Sequence, residues 1–416
     1  NPLKLLYMKR IIITATLAIA TALAISSCQK DKVKFYDFSI GLDESGFTAG
    51  VPSPESYLVT FTNTNTGEIT EIKTDSKTVT VSQLIEGVYD VVATARHSIY
   101  NYLGSAKAVV INSADALTSL KITASKSSSI IFKEIFYCGS KTPEKTNYMK
   151  DNYIEIYNNG SEPVYVDGLC ISTTSNYSSS AVNFADNNGH LVAADGSTTT
   201  MNADEYVIAK DVIWQIPGDG KTYLLNPGES FVIASSATNH TTADKNPNSI
   251  DLSSAEFETV CDKYIENGQV DNPSSGNMIM INPHNATITK QYMMSVSNAG
   301  LILFAPSTPV ADATLVANYN GSKPTGTYVP VLRSDVLDGV NWVKNSTTNP
   351  FLPENIDAGK TWVSGTYVRE SILRKEEGKT SEGNVIYQDT NNSTNDFTVS
   401  KDLVLRRNSK KASWAE

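Results

Sequence analysis

A two-residue alternation of apolar and polar side chains, interrupted by short turns, constrains this chain more than any other feature. It appears in Tyr57-Leu58-Val59-Thr60-Phe61-Thr62 and Thr78-Val79-Thr80-Val81, and again in Tyr89-Asp90-Val91-Val92-Ala93-Thr94-Ala95. Ala106-Lys107-Ala108-Val109-Val110-Ile111 and Leu120-Lys121-Ile122-Thr123-Ala124 continue it. Successive side chains of a strand point to opposite faces, so each run offers one face to a core and the other to water. Asn65-Thr66-Gly67 and Glu86-Gly87 supply turns. The pattern predicts an all-β chain of antiparallel sandwiches. Its 416 residues, 40% of them hydrophobic, can bury two cores and at most three.

The stretch Leu84-Ile85-Glu86-Gly87-Val88-Tyr89-Asp90-Val91 resembles the turn and following strand of transthyretin-like or immunoglobulin-like modules, which implies a spacer domain over residues 34–125. A polar stretch, Ser125-Lys126-Ser127-Ser128-Ser129, marks a boundary. Beyond it, Ile130-Ile131-Phe132-Lys133-Glu134-Ile135-Phe136-Tyr137 and Tyr153-Ile154-Glu155-Ile156-Tyr157-Asn158-Asn159-Gly160 are followed by Val166-Asp167-Gly168-Leu169. These residues resemble the lamin-tail domain, although Lys133 stands where that pattern has Asn and Leu169 where it has Trp. Leu225-Asn226-Pro227-Gly228-Glu229-Ser230-Phe231-Val232-Ile233-Ala234 and Ser371-Ile372-Leu373-Arg374-Lys375 extend the resemblance across residues 130–416. As a whole the chain is similar to a Bacteroidota lipoprotein family known only as a domain of unknown function. That likeness implies two Ig-like sandwiches, the second carrying long loop insertions with short helices, and it implies no activity.

From Met8 the sequence reads Lys9-Arg10, an apolar stretch from Ile11 to Ile25, then Ser26-Ser27-Cys28-Gln29-Lys30-Asp31-Lys32. The apolar part is shorter than the roughly 20 residues of a membrane span, so residues 1–27 read as an export signal, the first seven lying upstream of the native start. Ile25-Ser26-Ser27-Cys28 resembles a lipobox, which implies cleavage before a lipidated Cys28. Lasting anchorage takes more than one acyl chain. The charged tether over 28–33 resembles the tag that sends such lipoproteins to the outer face of the outer membrane. With Cys28 lipidated, Cys138, Cys170 and Cys261 remain, and the sequence leaves any pairing among them open.

Two helices are expected. Ser253-Ser254-Ala255-Glu256 has the form of a capping box ahead of Phe257, Val260, Cys261, Tyr264 and Ile265, and Ser334 stands as cap before Asp335 to Val343. Asp204-Glu205-Tyr206-Val207-Ile208-Ala209 and Gly228-Glu229-Ser230-Phe231-Val232-Ile233-Ala234 read as two similar strands of one sheet.

Candidate chemistry is sparse. Gly220-Lys221-Thr222 ends like a phosphate loop but lacks the preceding glycine, Gln215 standing in its place. His97, His190, His240 and His284 lie far apart, with no nucleophile elbow beside them. Glu134 and Glu155 fall on neighbouring strands, where a carboxylate pair does acid–base work in some enzymes and is structural in lamin-tail modules. Asp389-Thr390-Asn391-Asn392-Ser393-Thr394-Asn395-Asp396 alternates oxygen ligands like a calcium loop, without the turning glycine and with Ser400 in place of the final glutamate. Asp186-Asn187-Asn188-Gly189 reads as a hairpin turn. No Cys/His spacing suits structural zinc, and a net charge of −10 speaks against nucleic acid. The chain is therefore expected to be no enzyme and to need no cofactor. A surface lipoprotein is expected, binding a ligand or serving beside a TonB-dependent outer-membrane transporter. The alternative is a structural or adhesive surface protein without a small ligand.

Overall fold

The computed structural model describes residues 33–47, 51–97, 100–113, 117, 119–126, 128–281, 291–319, 321 and 323–415. The export signal, Cys28 and its charged tether up to Lys32 lie outside these residues, as does His284. The fold is all-β, and it divides between Ser125 and Lys126 into two compact units.

In the N-terminal unit the alternation becomes two facing sheets. One has five strands in the order Ile69–Thr74, Tyr57–Asn63, Gly87–His97, Tyr100–Ile111 and Thr123–Lys126. The other places Phe35–Asp43 between Thr78–Ile85 and Ser119–Lys121. Tyr57, Val59 and Phe61 turn inward from one sheet and Phe38, Ile40 and Leu42 from the other, meeting in a single core. There the rings of Phe38 and Phe61 meet edge to face at 5.9 Å. Phe35–Asp43 pairs in parallel with Ser119–Lys121, so the sheets are not purely antiparallel. The strand expected over residues 120–124 breaks at Ile122, whose side chain drops into the core. Gly104 allows this approach, because a Cβ there would lie 2.5 Å from Ile122 Cδ1 and 2.9 Å from the Lys121 carbonyl.

Three layers build the C-terminal unit. An eight-stranded sheet runs through Gly276–Asn277, Phe257–Glu258, Glu229–Ala234, Tyr153–Asn158, Ile130–Phe136, Ser371–Arg374 and Phe397–Ser400, with Lys410–Lys411 added in parallel to Glu229–Ala234. The middle sheet contains Ile279–Ile281, Ile213–Gln215, Cys170–Thr173, Ala299–Phe304 and Val336–Trp342. Its Leu301, Leu303, Trp214 and Trp342 join the core shared with the eight-stranded sheet. Ile302, Phe304, Cys170 and Ile213 face the opposite way, onto Val207, Val329 and Val331 of the third sheet. Burial on both faces is why Leu301-Ile302-Leu303-Phe304 is continuously apolar.

Three local expectations are corrected. Phe257–Glu258 is a strand, paired in parallel with Ile233 and Ala234, and the helix is confined to Asp262–Glu266, with Cys261 at its cap making no side-chain bond. After a single 3-10 turn at Arg333–Asp335, the segment expected to be helical is the strand Val336–Trp342, paired to Ala299–Phe304. Burial of Val340 and Trp342 at period two outweighs the cap at Ser334. The two similar strands lie in different sheets, Tyr206–Ala209 against Pro324–Leu332 and Glu229–Ala234 against Tyr153–Asn158. Cys138, Cys170 and Cys261 are all free.

Candidate functional site

Glu134 and Glu155 stand directly opposite each other on paired strands. A register shift beside them makes room for Lys133, whose ammonium lies 2.8 Å from Glu155 Oε1 with both side chains fully buried. Ser230 Oγ donates to the same oxygen at 2.6 Å, and Arg406 N donates to Glu155 Oε2 at 3.1 Å. Glu134 Oε1 accepts from Ser371 Oγ at 2.5 Å and Tyr153 OH at 2.9 Å. Its Oε2 has no partner among the described residues, and burial pushes the carboxyl up to about 7. Nothing opens onto this pair from solvent, since Lys133, Glu134 and Glu155 are each 0% exposed. It ties strands together.

The other sequence candidates are also absorbed by the fold. Asp389 and Asp396 turn toward the buried guanidinium of Arg374, at 3.2 and 3.6 Å, alongside Asp338 at 2.5 Å. Asp396 also accepts from Thr390 N and Oγ1 at 2.9 and 2.7 Å, so the loop that alternates like a calcium site turns its acids onto an arginine. Gly220 N and Thr222 N donate to Asp167 Oδ1 at 3.2 and 2.9 Å, and Tyr223 N donates to Oδ2 at 2.8 Å. The turn that looks like a phosphate loop thus holds an internal carboxylate. Partial burial raises the Asp167 carboxyl, but these N–H bonds outweigh it and hold the group below its usual range.

His97 ends a strand of the N-terminal unit, and His190 follows the turn at Asp186–Gly189, where Gly189 N donates to Asp186 O. His240 is buried, with Nε2 3.0 Å from the Ser236 carbonyl and Nδ1 2.7 Å from Tyr148 OH. A carbonyl only accepts, so Nε2 carries the proton and Nδ1 accepts from Tyr148. Burial pulls this imidazole down to about 4. Among the described residues no group of three or more His, Cys, Asp or Glu side chains could hold a metal.

One feature that opens to solvent was not legible in the sequence. A cavity of about 360 Å³ lies in the C-terminal unit at one edge of the eight-stranded sheet. It is assembled by the tail: Lys410–Lys411 pairs beside Glu229 and Ser230, Ala412 N donates to Ser230 O at 3.0 Å, and a 3-10 turn over Ser413–Ala415 brings Trp414 inward. Trp414 packs at 5.6 Å from Tyr223, and Tyr223 meets buried Phe257 edge to face at 5.1 Å. Gly276 closes the floor, since a Cβ there would lie 2.9 Å from the Phe257 ring. Ser253, Ser254 and Ser274 contribute hydroxyl-bearing side chains to the wall.

Glu256 stands in the cavity wall with its charge already matched. Its Oε2 accepts Val232 N at 2.8 Å and its Oε1 pairs with Arg406 Nη2 at 2.6 Å. Among the described residues Lys411 lies 3.9 Å from Glu256 Oε1 and gives one bond, to the Ala415 carbonyl at 2.6 Å. Glu256 is thus shared between Arg406, which lies behind the wall, and Lys411, the cation of the lining itself. Tyr223, Glu256 and Trp414 come from segments far apart in sequence, and no spacing rule joins them.

A family model described as "Protein of unknown function (DUF4876)" matches residues 226–402. The chain is similar to the crystal structure of a DUF4876 family protein from Bacteroides thetaiotaomicron VPI-5482. The two share 27% identity over 91% of this chain and 99% of that one, with a TM-score of 0.57. A candidate adhesin from Bacteroides ovatus ATCC 8483 aligns over 83% of this chain and 99% of its own at 12% identity, but its TM-score of 0.19 is too low to relate the folds. No curated protein matches the sequence.

Proposed function

We propose that this chain is a surface-displayed binding lipoprotein, anchored through Cys28 and facing the cell exterior, whose C-terminal unit recognises a ligand. In this reading the N-terminal unit is an Ig-like or transthyretin-like spacer and the C-terminal unit a lamin-tail-like head. The observation that carries the binding role is the cavity floored by Tyr223, Phe257 and Trp414 and walled by serines and Lys411. Concave sites with an aromatic lining and a few placed polar groups are where small ligands bind. The buried acids and His240, by contrast, are committed to internal partners. The head serves beside a TonB-dependent outer-membrane transporter and presents cargo to it.

A fatty-acid label should attach to the wild-type protein and not to Cys28→Ala, and protease added to intact cells should remove the protein. Purification from detergent-solubilised membranes should retain a transporter. Absence of the lipid label, or repeated recovery of the protein alone, would overturn the anchor or the partnership respectively.

A further inference from the structure

We infer that the cavity at the sheet edge takes a sugar ring bearing a carboxylate, a uronic acid at the end of or within an oligosaccharide. This rests on the reading of that cavity as the recognition site and names its ligand class. Four observations lead there.

The volume of about 360 Å³ is near the small end of the roughly 300–1,000 Å³ typical of ligand sites, enough for about one or two sugar rings. The aromatic side chains are anchored rather than loose: Trp414 packs on Tyr223 at 5.6 Å and on Phe231 at 5.8 Å, and both Trp414 and Tyr223 keep part of their surface open. A pyranose has an apolar C–H face that packs against such rings, with its hydroxyls projecting sideways.

The wall supplies what those hydroxyls need. Ser253, Ser254 and Ser274 border the cavity, so its polar rim is built from small side chains rather than aliphatic ones. A purely apolar ligand would strip water from this rim without replacing the hydrogen bonds.

Charge narrows the class to an acid. Lys411 donates to Ala415 O and has further N–H groups, and Glu256, 3.9 Å away, is held by Val232 N and Arg406. Among the described residues the ammonium therefore has donors to spare for a ligand carboxylate. Lys411 is the one lysine or arginine among the lining residues, which suits a single negative charge better than a phosphate dianion.

Calorimetric titration of the purified protein with glucuronate- and galacturonate-containing disaccharides, each beside its carboxyl-reduced counterpart, tests this. A uronate should bind at least about tenfold more tightly than its reduced form, the worth of one charge-assisted hydrogen bond. Lys411→Gln should erase that preference and leave the reduced sugar unaffected, whereas Trp414→Ala should weaken both. Failure of every sugar to bind would overturn the assignment, as would a preference that survives Lys411→Gln. So would displacement of the sugar by inorganic phosphate at equal concentration, which would mark a bare anion site. The lipid label and transporter recovery do not depend on Trp414. If they persist while no sugar binds, the ligand class alone falls; if they fail while a uronate binds, the ligand class stands and the surface role falls.

Discussion

The two units bury their interiors by different chemistry. Among the described residues of the N-terminal unit the buried polar side chains are Asn63, Thr94 and Asn101, and the buried ionisable ones are the phenols of Tyr57, Tyr89 and Tyr102. The C-terminal unit buries Lys133, Glu134, Asp151, Glu155, Glu258, Asp338, Asp357, Arg374, Asp389 and Asp396. The first therefore rests on apolar contact with little geometric demand beyond alternation. The second depends on cations placed against acids, and such an arrangement is costly when one partner is lost. The contrast teaches that a layered sheet can be extended inward by ion clusters where alternation alone would leave no partner for a strand edge.

Arg374 offers the sharpest way to break this contrast. Its guanidinium serves Asp338, Asp389 and Asp396 and also donates to the Phe132 and Gln388 carbonyls at 2.8 and 2.9 Å. Arg374→Met should cost about 4–5 kcal/mol in denaturant unfolding of the C-terminal unit, because three buried acids lose their cation. A loss under about 1 kcal/mol would mean that these acids are neutral and the cluster contributes little. For the N-terminal unit, Phe61→Ala should cost about 3–4 kcal/mol by opening a cavity. That cost should not change between about pH 5 and about pH 8, since the ionisable side chains described in this core are tyrosines, and burial raises Tyr57 and Tyr102 still further above that range.

The C-terminal unit should respond to pH, and Glu134 isolates one component. Its carboxyl is raised from 4.5 to about 7 by burial, so between those values the folded state holds a proton that the unfolded state has released. Stability from this group is fully present below about pH 4.5 and falls as pH rises through about 7, by up to about 3 kcal/mol. His240 acts oppositely: burial lowers it from 6.5 to about 4, so its contribution is lost as pH falls through that window. Glu134→Gln keeps an oxygen for Ser371 and Tyr153 while removing the titration. Unfolding at about pH 5 and about pH 8 should show the variant stabilised relative to wild type only at the higher pH, by about 1–2 kcal/mol. An equal difference at both would show that Glu134 does not titrate there.

What could be read from the sequence follows the same divide. Tyr57-Leu58-Val59-Thr60-Phe61 shows its fold locally, because each residue's face depends only on its place in the strand. Glu134 and Glu155 could be placed on neighbouring strands but not understood, since Ser371, Arg406 and Ser409 reach them from the far end of the chain. The cavity was invisible for the same reason. Trp414 and Tyr223 share no pattern, and only the parallel addition of Lys410–Lys411 brings them together.

The smallest predicted effect tests a local signal against this long-range network. Ser253 and Glu256 have the spacing of a capping box, yet Ser253 Oγ donates to Asp251 Oδ1 at 2.6 Å on an exposed turn, while Glu256 is taken by Val232 N and Arg406. Neither serves the helix Asp262–Glu266, which begins after a strand. Ser253→Ala should therefore change unfolding by no more than about 0.5 kcal/mol, as a surface substitution does. A working cap would cost about 1 kcal/mol. A loss of that size, with reduced helical circular dichroism, would show that the local signal governs this segment and that Glu256 is free to turn away from Arg406.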